Sequence, residues 1–553
     1  MPKIGSKPET TVRNYMRKPK RKVFALFIDF ARAFPSVPHN KLWQRLWNLG
    51  VSTKILDLLQ NLYQESKTII RLHDGHSEPI ELTEGLMQGD SLSPLLFSLY
   101  IWDIEKTLQE DGSNGIALNA WKQLHVLLFA DDTVVIAPTL KALEKKITTL
   151  EKYLDELELK VNLEKTKIVI FGRGGRIPRG TEFKYKGKSI EIVPEYTYLG
   201  IEMSSSAVFN KQRIKAKLKA TRVGATTLQL IFKTKLSNFH AHYTLFESIV
   251  KPTLLYGCAV WAHRYRQKLE TIQNNYYRRL LGLHPRIQPA IVRLETGSKP
   301  IEVSIWEQTL NFLCKIKQMD GHRYAAIIFR RLLQLDQESP SWELNWVTQV
   351  RTGLQTFGLE ALIEESYENI LYGWNTSIKI IEDHFEEHDK YILQRLDSHP
   401  QYNSVFEYHR EPATTDEENN QRGGEERSRT EIRWARLPWH LRSEEDLKMK
   451  RFITQLRQNS LYMKIKGEIV YVPNPAEEKI CLYCNRNETD CLEHTLFVCP
   501  IVGISAQQLR QKGWKRDNLT KCLDQPWEDI KEIHGLIMNS LKYRRLMDIE
   551  VDQ

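Results

Sequence analysis

The chain has 553 residues, 41% of them hydrophobic, which is enough for several domains with cores of their own. A formal net charge of +10 points to a polyanionic partner such as nucleic acid. No apolar run reaches membrane-spanning length and the N-terminus lacks a signal-peptide core. The seven cysteines are few, and four of them crowd into Cys481–Cys499. Membrane-embedded and disulfide-framed secreted classes are thereby set aside in favour of a reducing compartment and a local metal site.

In chain order, residues 1–22 are basic and poor in apolar residues and are expected to form a solvated tail. Val23–Phe30 is the first strong strand, with Asp29 near its end and Ala31-Arg-Ala-Phe34 following. Two short amphipathic helices are predicted over Lys41–Asn48 and Thr53–Gln64, the second with Ser52 as N-cap. Thr68–Leu72 and Glu78–Leu82 flank Asp74-Gly75, a hairpin signal. A glycine-containing loop, Glu84–Asp90, leads into an apolar helix with Ser93 as N-cap and Pro94 at its first position. Gly89 leaves room for a base or sugar at the backbone, and Gln88 offers a hydrogen-bonding edge.

The chain centres on Gln123–Ala137, where two apolar runs flank Asp131 and Asp132. This reads as a hairpin holding two carboxylates at a sheet rim, where like charges call for a divalent cation between them. If the strands are neighbours, Asp29 joins the pair, and three carboxylates can hold two magnesium ions for an in-line phosphoryl displacement. Apolar residues from Leu140 to Leu157 then recur at helical spacing, and Val161–Phe171 carries Lys165 and Lys167 into another strand. Gly172–Arg176 reads as a flexible turn, and Tyr196–Ile201 as a short strand. Residues 205–335 are helical with interleaved lysine and arginine, further helices occupy 340–410, and 413–430 is a disordered linker. Finally, Cys481, Cys484, Cys491, His494 and Cys499 offer five candidates for the four positions of a structural zinc site. His494 goes with Cys481, Cys484 and either Cys499 or Cys491.

The ordered set Phe27–Phe34, Gln88–Pro94, Phe129–Asp132, Asn162–Lys167 and Tyr198–Gly200 resembles motifs A to E of the reverse transcriptase palm. Leu254–Trp261, Arg278–Leu283 and the terminal Cys/His cluster resemble LINE-type (non-LTR) retrotransposon enzymes. The resemblance runs from Val23 to Pro500 and is weakest in 340–475. It implies an α+β fold: a palm over 23–203 with an antiparallel sheet backed by helices, and a helical thumb over 204–340. A helical connector over 341–475, a CCHC-like knuckle over 476–502 and a helical tail over 503–553 follow. It implies an RNA-directed DNA polymerase joining deoxynucleoside triphosphates to a primer 3′-hydroxyl on an RNA template, with DNA as primer or target. Asp29, Asp131 and Asp132 are then the magnesium ligands. Phe34 blocks a ribose 2′-hydroxyl, and Gln88 and Gly89 contact template and nucleotide. Lys165, ahead of Lys167, protonates pyrophosphate. The knuckle ligands are Cys481, Cys484, His494 and Cys499, their role nucleic-acid binding, and the element's life cycle suggests nuclear residence.

The sequence also departs from that pattern. Only 22 residues precede the palm, where the family has a fingers region, and neither an endonuclease nor a ribonuclease H signature is present. Pro35 stands where a second aspartate is frequent, and Met87 where arginine is. The alternative expectation is therefore a truncated, inactive remnant that binds nucleic acid through its basic helices and knuckle.

Overall fold

The computed structural model describes residues 21–396 and 439–551, apart from single residues and short stretches within them. The tail before residue 21, the linker 413–430, Gln88 and Cys491 lie outside the described residues. Two compact units emerge. The first comprises the described residues through Lys215, with Gly257–Arg264 and Thr309–Leu371. The second comprises Ala216–Tyr256, Tyr265–Gln308 and the described residues from Tyr372 onward.

The first unit is α+β. Its strands are β1 (Lys22–Ile28), β2 (Val126–Phe129), β3 (Asp132–Ala137), β4 (Lys167–Gly172), β5 (Phe183–Tyr185) and β6 (Lys188–Ile192). They form one sheet in the order β5-β6-β4-β1-β3-β2. β1 runs antiparallel between β3 and β4, pairing Ile28 with Thr133 and Phe27 with Lys167. This central strand is buried from Val23 to Ile28, which explains a continuous apolar run without alternation.

The expected antiparallel sheet holds except at one pairing: β4 and β6 are parallel, with Lys167 opposite Glu191. The β5–β6 hairpin folds its second strand inward, so that β6 lies beside β4 and β5 becomes the edge. A further hairpin, β7 (Glu195–Tyr198) and β8 (Ile201–Ser204), follows. Phe27 stacks on Tyr196 at 4.3 Å between ring centroids and meets Tyr198 at 5.7 Å, which covers the face of β1 away from the helices.

The helices α1 (His39–Asn48), α2 (Thr53–Gln64), α3 (Ser93–Tyr100) and α5 (Leu140–Glu156) fall where the sequence predicts, whereas α4 (Ile104–Glu110) has no counterpart among the predicted elements. Helix α5 starts at Thr139, whose hydroxyl accepts the Ala142 N–H, and it buries Leu143, Ile147, Leu150 and Leu154. Each of those side chains contributes roughly 1.5–3 kcal/mol by leaving water. They join Leu26, Ile28, Phe97, Ile104 and Ile170 in a single core. Ser93 differs from its expected role. It lies within the first turn of α3, and its hydroxyl donates to Met87 O (2.6 Å) instead of capping the helix. The Asp74-Gly75 hairpin signal is matched by two short ladders, Lys67–Thr68 with Ile80–Glu81 and Arg71–Leu72 with Gly75–His76.

The second unit is dominated by helices. Most of α6 (Asn210–Thr234) lies here, with α7 (Arg266–Leu281), α8 (Pro289–Thr296), α9 (Trp374–Leu396), α10 (Leu447–Arg457), α11 (Gly503–Gln511) and α12 (Trp527–Val551). Arg293 of α8 bridges Asp389 of α9 (Nε to Oδ2, 2.6 Å) and Glu270 of α7 (Nη1 to Oε1, 2.8 Å). Glu270 also accepts the Ile301 N–H. Glu295 of α8 meets Arg457 of α10 at 3.1 Å, and both are fully buried. Buried charges such as these are tolerated because each has an opposite partner. Among the described residues, no helix is long and apolar enough to cross a membrane.

Candidate active site

The carboxylates gather where β1 ends and the β2–β3 hairpin turns. Phe129 pairs with Asp132, leaving Ala130 and Asp131 as a two-residue loop. Ala130 carries the bend with φ of +52°, a left-handed conformation that is costly for a residue with a Cβ. The expected hairpin is thus present, with Asp131 in the turn and Asp132 as the first residue of β3.

Asp29 follows directly after β1. Since Ile28 pairs with Thr133, continuing that register brings Asp29 opposite Asp132. Its main chain is pinned on both sides: its N–H donates to Thr166 Oγ1 (3.1 Å), and its carbonyl accepts the Asn162 N–H (2.8 Å). The Asn162–Lys167 turn is itself closed by the Glu164 N–H on Asn162 Oδ1 (3.1 Å) and the Thr166 N–H on Asn162 O (2.9 Å).

Electrostatics tie the three groups together. Burial pushes the Asp132 carboxyl above its ordinary range, and the negative charges of Asp131 and Asp29 push it further. The Tyr196 hydroxyl is held up by burial and then by Asp132 and Asp29, so it faces the same negative field. Sequence reasoning missed Thr166 and Tyr196. The only signal for the first was the Asn-to-Thr spacing of a side-chain-closed turn, and none marked the second.

Phe34 sits in the turn after Asp29 and packs on Phe97 at 5.3 Å. Gly85 and Leu86 donate to Val37 O (2.9 Å) and Phe34 O (2.7 Å), which joins this turn to the loop before α3. Gly85 has φ of +88°, and a Cβ there would lie 2.6 Å from Pro35 O, so only glycine fits. Pro35, a departure from the pattern, is thus the surface against which Gly85 closes. Gly89 has φ of +91° and open space where a Cβ would stand.

Of the two lysines, Lys167 is committed to Glu191 at 2.5 Å. Lys165 is exposed and has no charged partner among the described residues. The structure therefore brings together Asp29, Asp131 and Asp132, places Phe34 and Gly89 in linked loops, and leaves the Lys165 ammonium without a charged partner among the described residues.

Residues 1–203 match the family described as reverse transcriptase (RNA-dependent DNA polymerase). Over that region the chain is similar to reverse transcriptases. The chain is 22% identical over 319 residues to a probable RNA-directed DNA polymerase from transposon BS of Drosophila melanogaster, covering 56% of this chain and 34% of that protein. It is 27% identical over 295 residues to the Pol polyprotein of the R2 retrotransposable element of Popillia japonica, covering 51% and 40%. The chain thus spans about a third of the length of the former and two fifths of the latter. These relatives bear out the resemblance to non-LTR retrotransposon reverse transcriptases. Among solved structures, apo telomerase from Candida tropicalis matches at 13% identity with a TM-score of 0.31, over 62% of this chain and 56% of that one.

A second constellation lies in the second unit. Ligand atoms of Cys481, Cys484, His494 and Cys499 all fall within 4.8 Å of one another. His494 opens a short π-turn, His494–Val498, whose Leu496 and Phe497 enter a core with Phe452 and Ile453 of α10, Leu509 of α11 and Ile533 and Ile537 of α12. The cluster is thus joined to a helical core through Leu496 and Phe497.

Proposed function

We propose that this chain is the polymerase portion of a non-LTR retrotransposon protein, an RNA-directed DNA polymerase acting on an RNA template, a DNA primer and deoxynucleoside triphosphates. The observation that carries this reading is the convergence of Asp29, Asp131 and Asp132 at one sheet rim, where burial and then its two acidic neighbours push the Asp132 carboxyl up. Mutual repulsion of this kind fits a cation-binding donor set of hard oxygens, which suits magnesium. Two magnesium ions held by these carboxylates would supply activation of the primer 3′-hydroxyl and neutralisation of the triphosphate.

The protein's own residues do the rest. Phe34, braced by Phe97 and by the Leu86 N–H, stands as the steric barrier to a ribose 2′-hydroxyl. Gly89 and its chain neighbour Gln88 would contact template and nucleotide. Lys165 hands a proton to the pyrophosphate leaving group. In these terms 23–203 is the palm, 204–340 the thumb and 341–475 a connector. The exposed Lys219 and Arg222 of α6 would follow a duplex backbone. The four Cys/His groups fit zinc in number, type and spacing. Nuclear residence belongs to this same reading.

The test is primer extension on an RNA template with magnesium and deoxynucleotides, comparing the protein with an Asp131→Ala, Asp132→Ala double variant. Extension by the parent alone is the expected result. No extension by either, with nucleic-acid binding retained, points to a remnant that binds without catalysis. Extension by both overturns the assignment of the acidic pair.

A further inference from the structure

We propose that Glu488 is a positioning residue for the Cys/His metal site: its carboxylate holds His494 as the Nδ1–H tautomer and so presents Nε2 to the ion. The inference rests on the zinc reading above and goes beyond it, because no ligand spacing in the sequence marks this glutamate.

Glu488 lies between the second cysteine and the histidine, and it touches the site at both ends. Its carbonyl accepts the Cys481 N–H (3.0 Å), and its Oε2 lies 3.3 Å from His494 Nδ1. An ionised carboxylate can only accept, so the proton of this contact belongs to Nδ1. The other ring nitrogen then carries a lone pair, and Nε2 lies 3.4 Å from Cys484 Sγ, inside the cluster of ligand atoms. The opposite tautomer would aim an N–H at the sulfurs and exclude a cation. The His494 side chain is fully buried, so water does not compete for Nδ1. The His494 carbonyl also accepts the Cys499 N–H (2.8 Å), so ring and main chain are fixed together. A carboxylate behind a ligating imidazole fixes the ring and raises its basicity, and its loss costs about 10–100-fold in metal affinity. Glu488 itself is 37% exposed, so removing it opens no cavity in the core.

The experiment uses the whole chain. Zinc affinity is measured by competition with a chromophoric chelator, and cobalt(II) absorption reports the ligand field, with Cys484→Ser marking the signal that belongs to this site. Glu488→Ala is expected to lose about 10–100-fold in affinity, while its metal-free melting temperature stays at the parent value. Glu488→Gln, whose amide oxygen still accepts from Nδ1, is expected to recover part of the loss. Affinity within twofold of the parent in Glu488→Ala overturns the inference and leaves the zinc site standing. Equal destabilisation of the metal-free and loaded protein also overturns it, since that is a packing effect. A parent chain that binds neither metal at this site overturns the inference and the zinc reading together.

Discussion

The two lysines of the Asn162–Lys167 turn differ in what they are free to do. Lys165→Ala removes an unpaired exposed ammonium, so the nucleotide-addition rate should fall by roughly 10²-fold with the melting temperature unchanged, as general-acid loss predicts. Lys167→Ala breaks a rim pair with the 64%-exposed Glu191, worth about 1 kcal/mol or less, and should leave the rate within a few-fold. Single-turnover incorporation kinetics on both variants separates the two roles. Lys146 makes a pH prediction. It is fully buried, 2.7 Å from His125 Nδ1, and burial pushes its ammonium down to about 8. The unfolded lysine keeps its proton to about 10.5. Below 8 both states are charged and the burial cost is at full strength. Between 8 and 10.5 only the folded state has shed its proton, so this lysine's contribution to stability rises with pH across that window. Urea midpoints at about pH 7.5 and pH 9.5 should show that rise in the parent, and Lys146→Met should abolish it.

At the scale of elements, the joint between Gly85 and the Phe34–Val37 turn holds Phe34 in place. Gly85→Ala forces a Cβ against the Pro35 backbone and should cost about 1–3 kcal/mol. Through Phe34 it should also weaken discrimination between deoxynucleotides and ribonucleotides. A thermal melt and a competition assay between the two nucleotides check both effects. This joint shows which part of the site was readable in advance. Asp29, Asp131 and Asp132 could be read because each ends or begins an apolar run, and such runs announce strands from local sequence alone. The Leu140–Leu157 periodicity gave its helix for the same reason. The closure of Gly85 on Pro35, the grip of Thr166 on Asp29 and the stacking of Tyr196 on Phe27 are long-range contacts between residues with no local pattern. The parallel partnership of β4 and β6 belongs with them, since a hairpin's signal gives its turn and not which of its strands lies inward. Glu488 escaped for a further reason: a residue behind a metal ligand is chosen by its contact with the ring, not by spacing along the chain.

At the scale of the whole molecule, the second unit is held across long stretches of sequence by buried charge. Arg457→Ala strands the Glu295 carboxylate in the core, although Gln458 Nε2 still donates to it (3.0 Å), and should cost roughly 3–5 kcal/mol. A double variant, Arg457→Met with Glu295→Leu, should recover much of that loss, because well-packed apolar groups replace a buried pair at little cost. Chemical denaturation of the single and double variants decides between charge and packing as the source. The division into units could not be read from the motifs, which follow the chain in order, whereas each unit is assembled from separated segments.

That assembly has a consequence in time. The sheet bearing the three aspartates is complete by Ile192, but its unit also takes in Gly257–Arg264 and Thr309–Leu371. During synthesis the nascent sheet therefore waits for some 180 further residues, roughly 9–36 s at about 5–20 residues per second, before its last packing partners leave the ribosome. Through that interval Glu105 and Lys122 lack the partners they later find in Tyr324 and His322. Slower elongation over residues 193–371 should lower the soluble yield, and slower elongation after Leu371 should leave this unit's yield unchanged.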